Sequence, residues 1–565
     1  MDFTISGKSF LLLEPELKNV KMSRKNIICF TVISAMTIIP SISYSQKNSP
    51  GLNLINSGDL KAHVSFLASP SMKGRSNGEP ELEITVNYLA SQATLLGLRP
   101  ANGNSYLQPY VLMEKLIDQK KSMIKIFNSA SDSVEIQDPM VQLYPAGASD
   151  FNLEGEVIFA GYGIKAEKYN YNDLENISPE GRILLLMNRS PLSEDGTSFQ
   201  FEEPIWSSFM SIQAKLVNLM FSKAKAILIV TDPKSGFLSV DQQYPGIANE
   251  LRSSKYLKGS KPLMIDMPAM PRIIFVHRSV ADELLKGSGH TLDELQKNID
   301  LNLKPNSFLI PGKKLRITEV SMTREVILNN VAAWIEGSDP VLKKEIVIFS
   351  GHADHVGRSG EKIYPGADDN ASGCAAILEI AQAFQSLEKK PLRSLLFLWV
   401  TGEEIGLFGS QSYISNPLFP LGNTVADLNI DMIGRVRGVA DTTDETPMSD
   451  KSGVFVITGN QSKELTAIAD EVDKRSPVDI DYSLSGRNHP LQLFSRSDHY
   501  NFVKKDIPVL FFTTGLHTDY HKPGDVVEKI DFEKMELITK MIYEIGYTVS
   551  NRKTKLVVDN PFSKW

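Results

Sequence analysis

The chain has 565 residues, 42% hydrophobic and 22% charged, with 60 Lys+Arg against 67 Asp+Glu for a net charge of −7. This is globular composition with room for two to four domains, and it excludes a disordered or collagen-like chain. The acidic balance argues against a nucleic-acid partner, which needs a basic footprint, and two cysteines cannot build a disulfide framework.

Residues 27–39 form an apolar run behind Lys21, Arg24 and Lys25, followed by Pro40 and the small-residue stretch 41–45. A basic start, an apolar core and small residues at a cleavage point describe a secretory signal peptide over residues 1–45. The run falls short of the ~20 apolar residues of a spanning helix. Ser43 and Ser45 fit the −3 and −1 positions and place the cut before Gln46. Met22 reads as the true start, with 1–21 an extension. Residues 1–45 carry five basic and three acidic side chains, so the exported chain has charge −9 and keeps Cys374 as its single thiol. The expectation is a periplasmic or secreted protein without a stable membrane anchor.

Beyond the leader, 60–68 and 82–96 have the apolar spacing of helices, and 55–135 as a whole reads as helices around a turn-rich link at 71–78. The middle changes character. Short β-like runs at 156–159, 182–187, 226–230 and 272–276 are punctuated by glycine and proline, with helical spacing only at 212–223. The last part alternates: strands at 345–350, 394–401, 427–432, 454–458 and 509–514, helices at 371–387, 463–474 and 532–549. Such alternation predicts an α/β fold, a mixed, mostly parallel central sheet with helices on both faces. The expected boundaries are 46–138 and 306–565 for a catalytic domain split by an inserted β-rich module at 139–305.

Ligand sites in such sheets lie beyond the carboxyl ends of the strands, and there the chemistry-bearing residues fall. Four strand candidates run into Gly351-His352-Ala353-Asp354-His355, Gly402-Glu403-Glu404, Asn429-Ile430-Asp431 and His517-Thr518-Asp519-Tyr520-His521. Pro365-Gly366-Ala367-Asp368-Asp369-Asn370 precedes a helix. Six of the nine histidines lie between 352 and 521. Imidazole plus carboxylate with little cysteine is the donor set of catalytic zinc, and a two-metal site needs one carboxylate able to bridge. Taken singly, Glu403-Glu404 reads as a solvated turn and Asp368-Asp369 as a helix cap. An apolar strand ending in Asp431 is harder to explain without a partner for the carboxylate.

These segments resemble the two-zinc exopeptidases that include secreted bacterial leucyl aminopeptidases, glutamate carboxypeptidase and the transferrin receptor ectodomain. The resemblance rests on Gly-His-Ala-Asp-His, Pro-Gly-Ala-Asp-Asp-Asn-Ala-Ser-Gly, Thr-Gly-Glu-Glu-Ile-Gly-Leu-Phe-Gly-Ser, Asn-Ile-Asp-Met-Ile-Gly and Asp-Tyr-His-Lys-Pro-Gly-Asp, in that order. It extends to Lys-Gly-Arg at 73–75. The middle module resembles a protease-associated domain through Gly-Tyr-Gly-Ile and two apolar runs. The resemblance implies two zinc ions per chain: His352 and Asp431 on one, Glu404 and His521 on the other, Asp369 bridging, and a cis peptide after Asp369. It implies Glu403 as general base and Asp354 behind His352, accepting from its second ring nitrogen. Asp498, His499 and His517 are candidates for substrate contact, and Asp525 for orienting His521. The implied activity is a secreted aminopeptidase acting on peptides. The alternatives are a carboxypeptidase or dipeptidase, which would need arginines such as Arg435, Arg487 or Arg496 in the pocket, a one-zinc glutaminyl cyclase, and a receptor-like member without metals. The complete donor set disfavours the last two.

Overall fold

The computed structural model describes residues 49–564 apart from 119, 130, 137–140, 144–149, 197, 202–209, 245–252, 261–270, 440 and 442–446. The expected leader lies outside the described residues. Among the described residues no helix is long and apolar enough to cross a membrane.

Two helices come first, α1 (Ser57–Leu67) and α2 (Pro80–Leu95). Asn56 caps α1 by accepting the Asp59 N–H, and Pro80 opens α2, where its missing N–H costs nothing. The main sheet then takes β1 (Arg99–Pro100), β2 (Leu107–Ile117), β3 (Ser253–Leu257), β4 (Ser321–Ile335), β5 (Ile346–His352), β6 (Ser394–Val400), β7 (Thr424–Ile430), β8 (Gly453–Ile457), β9 (Asp479–Asp481) and β10 (Val509–Thr513). Their order across the sheet is β3-β2-β4-β6-β5-β7-β10-β8-β9, with β1 beside β4. β6, β5, β7 and β10 are parallel neighbours. Antiparallel ladders extend the sheet on both sides, β2–β4 and β4–β6 at one, β8–β10 at the other. This is the expected mixed α/β sheet with a parallel block at its centre, but it is not mostly parallel: among the described residues five of its ladders are antiparallel and four parallel.

The central strands are apolar along their whole length because both faces are covered. Val347 and Phe349 of β5 and Leu395, Phe397 and Trp399 of β6 point into one core, against α1, α2, α3 (Gly373–Gln385), α5 (Lys463–Asp473) and α7 (Phe532–Asn551). Ile346 and Ile348, and Leu396, Leu398 and Val400, point into the other, against α4 (Phe408–Ser415) and α6 (His499–Val503).

The helical expectation for 55–135 fails after Leu95. Leu107–Ile117, Met123–Phe127 and Ser133–Ile136 are strands. Burial along 123–127 alternates residue by residue, the period of a half-covered strand. A second sheet, outside the main one, runs Ser133–Ile136, Met123–Phe127, Phe308–Glu319, Phe151–Phe159, Ile183–Met187, Ala226–Val230, Arg272–Val276, Val141–Leu143. It starts before residue 139 and ends after 305, and Ser253–Leu257 leaves it to pair with β2.

Candidate metal centre

The parallel block sets the position of the site. His352 is the last residue of β5, Glu403-Glu404 follow β6 by a few residues, Asp431 follows β7 directly, and the loop after β10 carries His517 and His521. Asp369 sits on the turn before α3, and the Asp369–Asn370 peptide is cis. The Asn370 side chain clamps this turn: its Nδ2 donates to Ile430 O at 2.9 Å and its Oδ1 accepts the Gly373 N–H at 2.8 Å. Gly366 enters the turn at φ +62°, where a Cβ would lie 2.2 Å from Asp369 O and 2.6 Å from the His355 ring, so only glycine fits.

Two groups of donors share Asp369: His352, Asp369 and Asp431 form one, and His355, Asp369, Glu404 and His521 the other. His352 Nε2 is 3.2 Å from both Asp369 Oδ1 and Asp431 Oδ1. His521 Nε2 is 3.1 Å from Asp369 Oδ2 and 3.0 Å from Glu404 Oε2. Asp369 thus turns one oxygen to each imidazole. His352 Nδ1 lies 3.0 Å from the backbone carbonyl of Asp354, which only accepts, so the proton sits on Nδ1. Nε2 then faces two carboxylate oxygens, an arrangement that needs positive charge between them, carried by a proton on Nε2 or by a metal ion in its place.

The electrostatics carry the same demand. Burial opposes a charge on His352, yet Asp431, Glu403 and Asp369 outweigh it and hold the imidazole well above the usual histidine value. His521 is likewise held up against its burial by Glu404 and Asp369. Asp369 is held well below the usual carboxylate range, its burial overcome by His355, His352 and His521. Burial and Asp369 push Glu404 up, but His521 and His355 bring it down to about 2. Glu403 goes the opposite way: burial, Glu404, Asp498 and Asp431 push it well above the carboxylate range against the pull of His352. Adjacent acids with opposite shifts have different tasks, one held ionised and one poised to take a proton.

The other expected residues are placed as follows. The Asp354 carboxylate does not hold His352: its Oδ1 is 3.9 Å from Nδ1. It accepts the backbone N–H groups of Glu403 and Glu404, each at 3.2 Å, and Asn77 Nδ2 at 2.6 Å. The strand end delivers the carbonyl to the ring first, which frees the carboxylate for the turn. Asp525 does not orient His521. Its oxygens accept the N–H groups of Asp368 and Asp369 at 3.1 Å. His517 is buried on that side, 3.5 Å from Asp368 Oδ2, and burial brings it down to about 4. Asp498 is fully buried beneath the site, accepting from Ser410 Oγ at 2.5 Å. His499 is stacked on Phe511 with centroids 4.7 Å apart. The structure groups neither His499 nor His517 with the donors.

Some contributors carry no role in the sequence reading. Ser497 Oγ donates to Asp431 Oδ2 at 2.8 Å. Arg75, 1% exposed, donates to the carbonyls of Leu67, Ala353, Pro365, Gly366 and Asp369 at 2.7–3.4 Å. His355 joins the second donor group; its spacing three residues after His352 makes it a metal candidate in the sequence, though without an assigned role. A cleft opens over His352, Asp369, Glu403 and Asp431, walled by Met432, Leu493, Phe511, Leu516, Tyr520 and Arg496.

The chain is similar to known proteins. Residues 330–546 match peptidase family M28. The chain is 27% identical over 244 residues to leucine aminopeptidase 1 of Trichophyton equinum, covering 41% of this chain and 61% of that one. It is 29% identical over 221 residues to a probable leucine aminopeptidase of Trichophyton verrucosum (strain HKI 0517), covering 37% and 56%. The chain thus spans about three fifths of the length of the curated relatives it matches. The fold is similar to that of an aminopeptidase from Aneurinibacillus sp. strain AM-1, TM-score 0.50 at 18% identity, over 90% of this chain and 97% of that one. The likeness to peptidase family M28 thus rests on segment 330–546, which carries every donor of the metal centre.

Proposed function

We propose that the chain is a two-zinc aminopeptidase that removes N-terminal residues from peptides. The observation that carries this reading is Asp369, with one oxygen 3.2 Å from His352 Nε2 and the other 3.1 Å from His521 Nε2. Two donors on one tetrahedral zinc, each ~2.0–2.1 Å from it, stand ~3.3 Å apart, so the residues present fit two ions. His352, Asp369 and Asp431 would hold one, Asp369, Glu404 and His521 the other. When bound, zinc polarises a carbonyl and lowers the pKa of water toward ~7.

The remaining steps belong to the chain. Glu403 faces the cleft with a carboxyl pushed up by burial, suited to take a proton from the attacking water and return it to the leaving amine. The walls Leu493, Phe511 and Leu516 suit an apolar side chain next to the scissile bond, and the carboxylate excess favours a substrate ammonium. Arg496 lines the cleft 3.2 Å from Tyr520 OH. Arg435 is bound to Asp519 and Asp525, and Arg487 is exposed. One arginine rather than a cluster makes a carboxypeptidase the weaker reading. Export through the leader, and a protease-associated character for the second sheet, belong to the same proposal.

Glu403→Gln is expected to lose ~10²–10⁴-fold in turnover while elemental analysis still finds two ions. Full activity in that variant sinks the general-base role. Aminoacyl chromogenic substrates should be cleaved and N-blocked peptides spared, with activity lost to a chelator; cleavage of N-blocked peptides alone would refute the aminopeptidase reading.

A further inference from the structure

The donor pairs of the metal centre do not share one spacing. His352–Asp369, His352–Asp431, His521–Asp369 and His521–Glu404 all lie 3.0–3.2 Å apart, close to the ~3.3 Å separation of two donors on one tetrahedral ion. His355 Nδ1 stands apart from them. It is 2.7 Å from Glu404 Oε1 and 3.6 Å from Asp369 Oδ2. The first distance is too short for two ligands of one ion and fits an N–H···O⁻ bond; the second is too long for a hydrogen bond. Since a carboxylate oxygen accepts, the proton sits on Nδ1. Among the described residues Nε2 is buried with no hydrogen-bond partner, and the ring is wedged between Gly366 and the His521 ring, whose centroid is 5.6 Å away at 72°.

We infer that His355 is a positioning residue that donates Nδ1–H to Oε1 of Glu404 and so turns Oε2 toward His521. Asp354 pins the backbone N–H of Glu404 and His355 pins its side chain, so both ends of this donor are fixed before an ion arrives. The inference rests on the two-ion reading above. It gives His355 the outer contact that orients a ligand, a kind of contact whose loss typically costs 10–100-fold in metal affinity.

The test uses the full chain with His355→Ala and His355→Gln. Each protein is loaded with zinc, dialysed against graded chelator, and its metal content measured. The expected result is that H355A gives up one of its two ions at ~10–100-fold weaker chelator competition than the parent. H355Q, which keeps an N–H donor, should recover most of that resistance. At saturating cobalt, the visible absorption per bound ion in H355A should match the parent, because no ligand has been removed. A spectrum of lowered coordination number would overturn the donor role in favour of direct ligation. Unchanged chelator resistance in H355A, or a Gln variant as weak as Ala, would overturn it too. A parent chain that retains no ion sinks the two-ion reading and this inference together, whereas a two-ion parent with an unaffected H355A sinks the His355 role alone.

Discussion

Arg75 shows how much of the site is held by residues that never face the cleft. Its hydrogen bonds end on backbone carbonyls of the loops that carry His352 and Asp369. In Arg75→Met the Gly366 carbonyl keeps the Ala371 N–H, but the others lose the guanidinium donor while buried, each costing ~1–3 kcal/mol with incomplete additivity. Urea unfolding of the metal-free chain should therefore show a loss on the order of 3 kcal/mol. Arg75→Lys, with fewer donors, should fall between; an unchanged unfolding midpoint in the Met variant would mean that water replaces the guanidinium. Nothing in the sequence marks these contacts, because a backbone carbonyl leaves no signature in residue identity. The donors themselves were legible, since His352, Asp369, Glu404, Asp431 and His521 stand in recognisable segments. His499 and His517 were not, because a count of histidines near a motif says nothing of which way each ring is packed.

Between elements, the α1–α3 contact has its own pH dependence. Glu379 of α3 is buried, accepts the Asn56 N–H at 3.3 Å, and lies 3.9 Å from His63 Nε2. Burial, helped by Asp59 and Glu536, raises its carboxyl from 4.5 to about 7. The folded chain thus prefers the protonated acid. The contribution is full below pH 4.5 and is lost as pH rises through about 7. Glu379→Gln keeps the acceptor and removes the charge, so it should unfold at a higher temperature than the parent at pH 8 and show little gain at pH 4. A parent-like melting temperature at both pH values would contradict this. Legibility at this scale followed burial. β5, β6, β7 and β10 are covered on both faces and read as apolar runs. β2 largely alternates, β4 is uncovered over its first half and buried over its second, and together they carry Gln108, Arg324 and Asn329-Asn330, so their pattern was hidden among polar residues. β3, Ser253–Leu257, has no apolar run at all and owes its strand to pairing with β2.

Across the whole molecule, the chain leaves the main sheet after β2, touches it again only at β3 among the described residues, and rejoins it at β4, where Ile117 and Ser321 are direct partners. A short turn could join them and leave the second sheet out. Such a chain, lacking 119–319, would also lose β3 and leave β2 as an open edge, with Tyr110 and Leu112 losing the Leu257 contact. Open apolar edges template pairing with other chains. Size-exclusion chromatography should show larger species than the full chain forms; an unshifted elution would mean the edge is protected by its own side chains.

The bridging carboxylate has a consequence beyond chemistry. It sits on a turn and its partners end or follow four different strands, spread from 352 to 521, and all come within reach of each other only after the sheet has closed. An ion held there binds the folded chain and not the unfolded one. At a thousandfold excess over its dissociation constant it adds ~4 kcal/mol to the folded side of the balance. The centre is therefore also a clasp, and stripping it should loosen the rim of the sheet that carries the cleft.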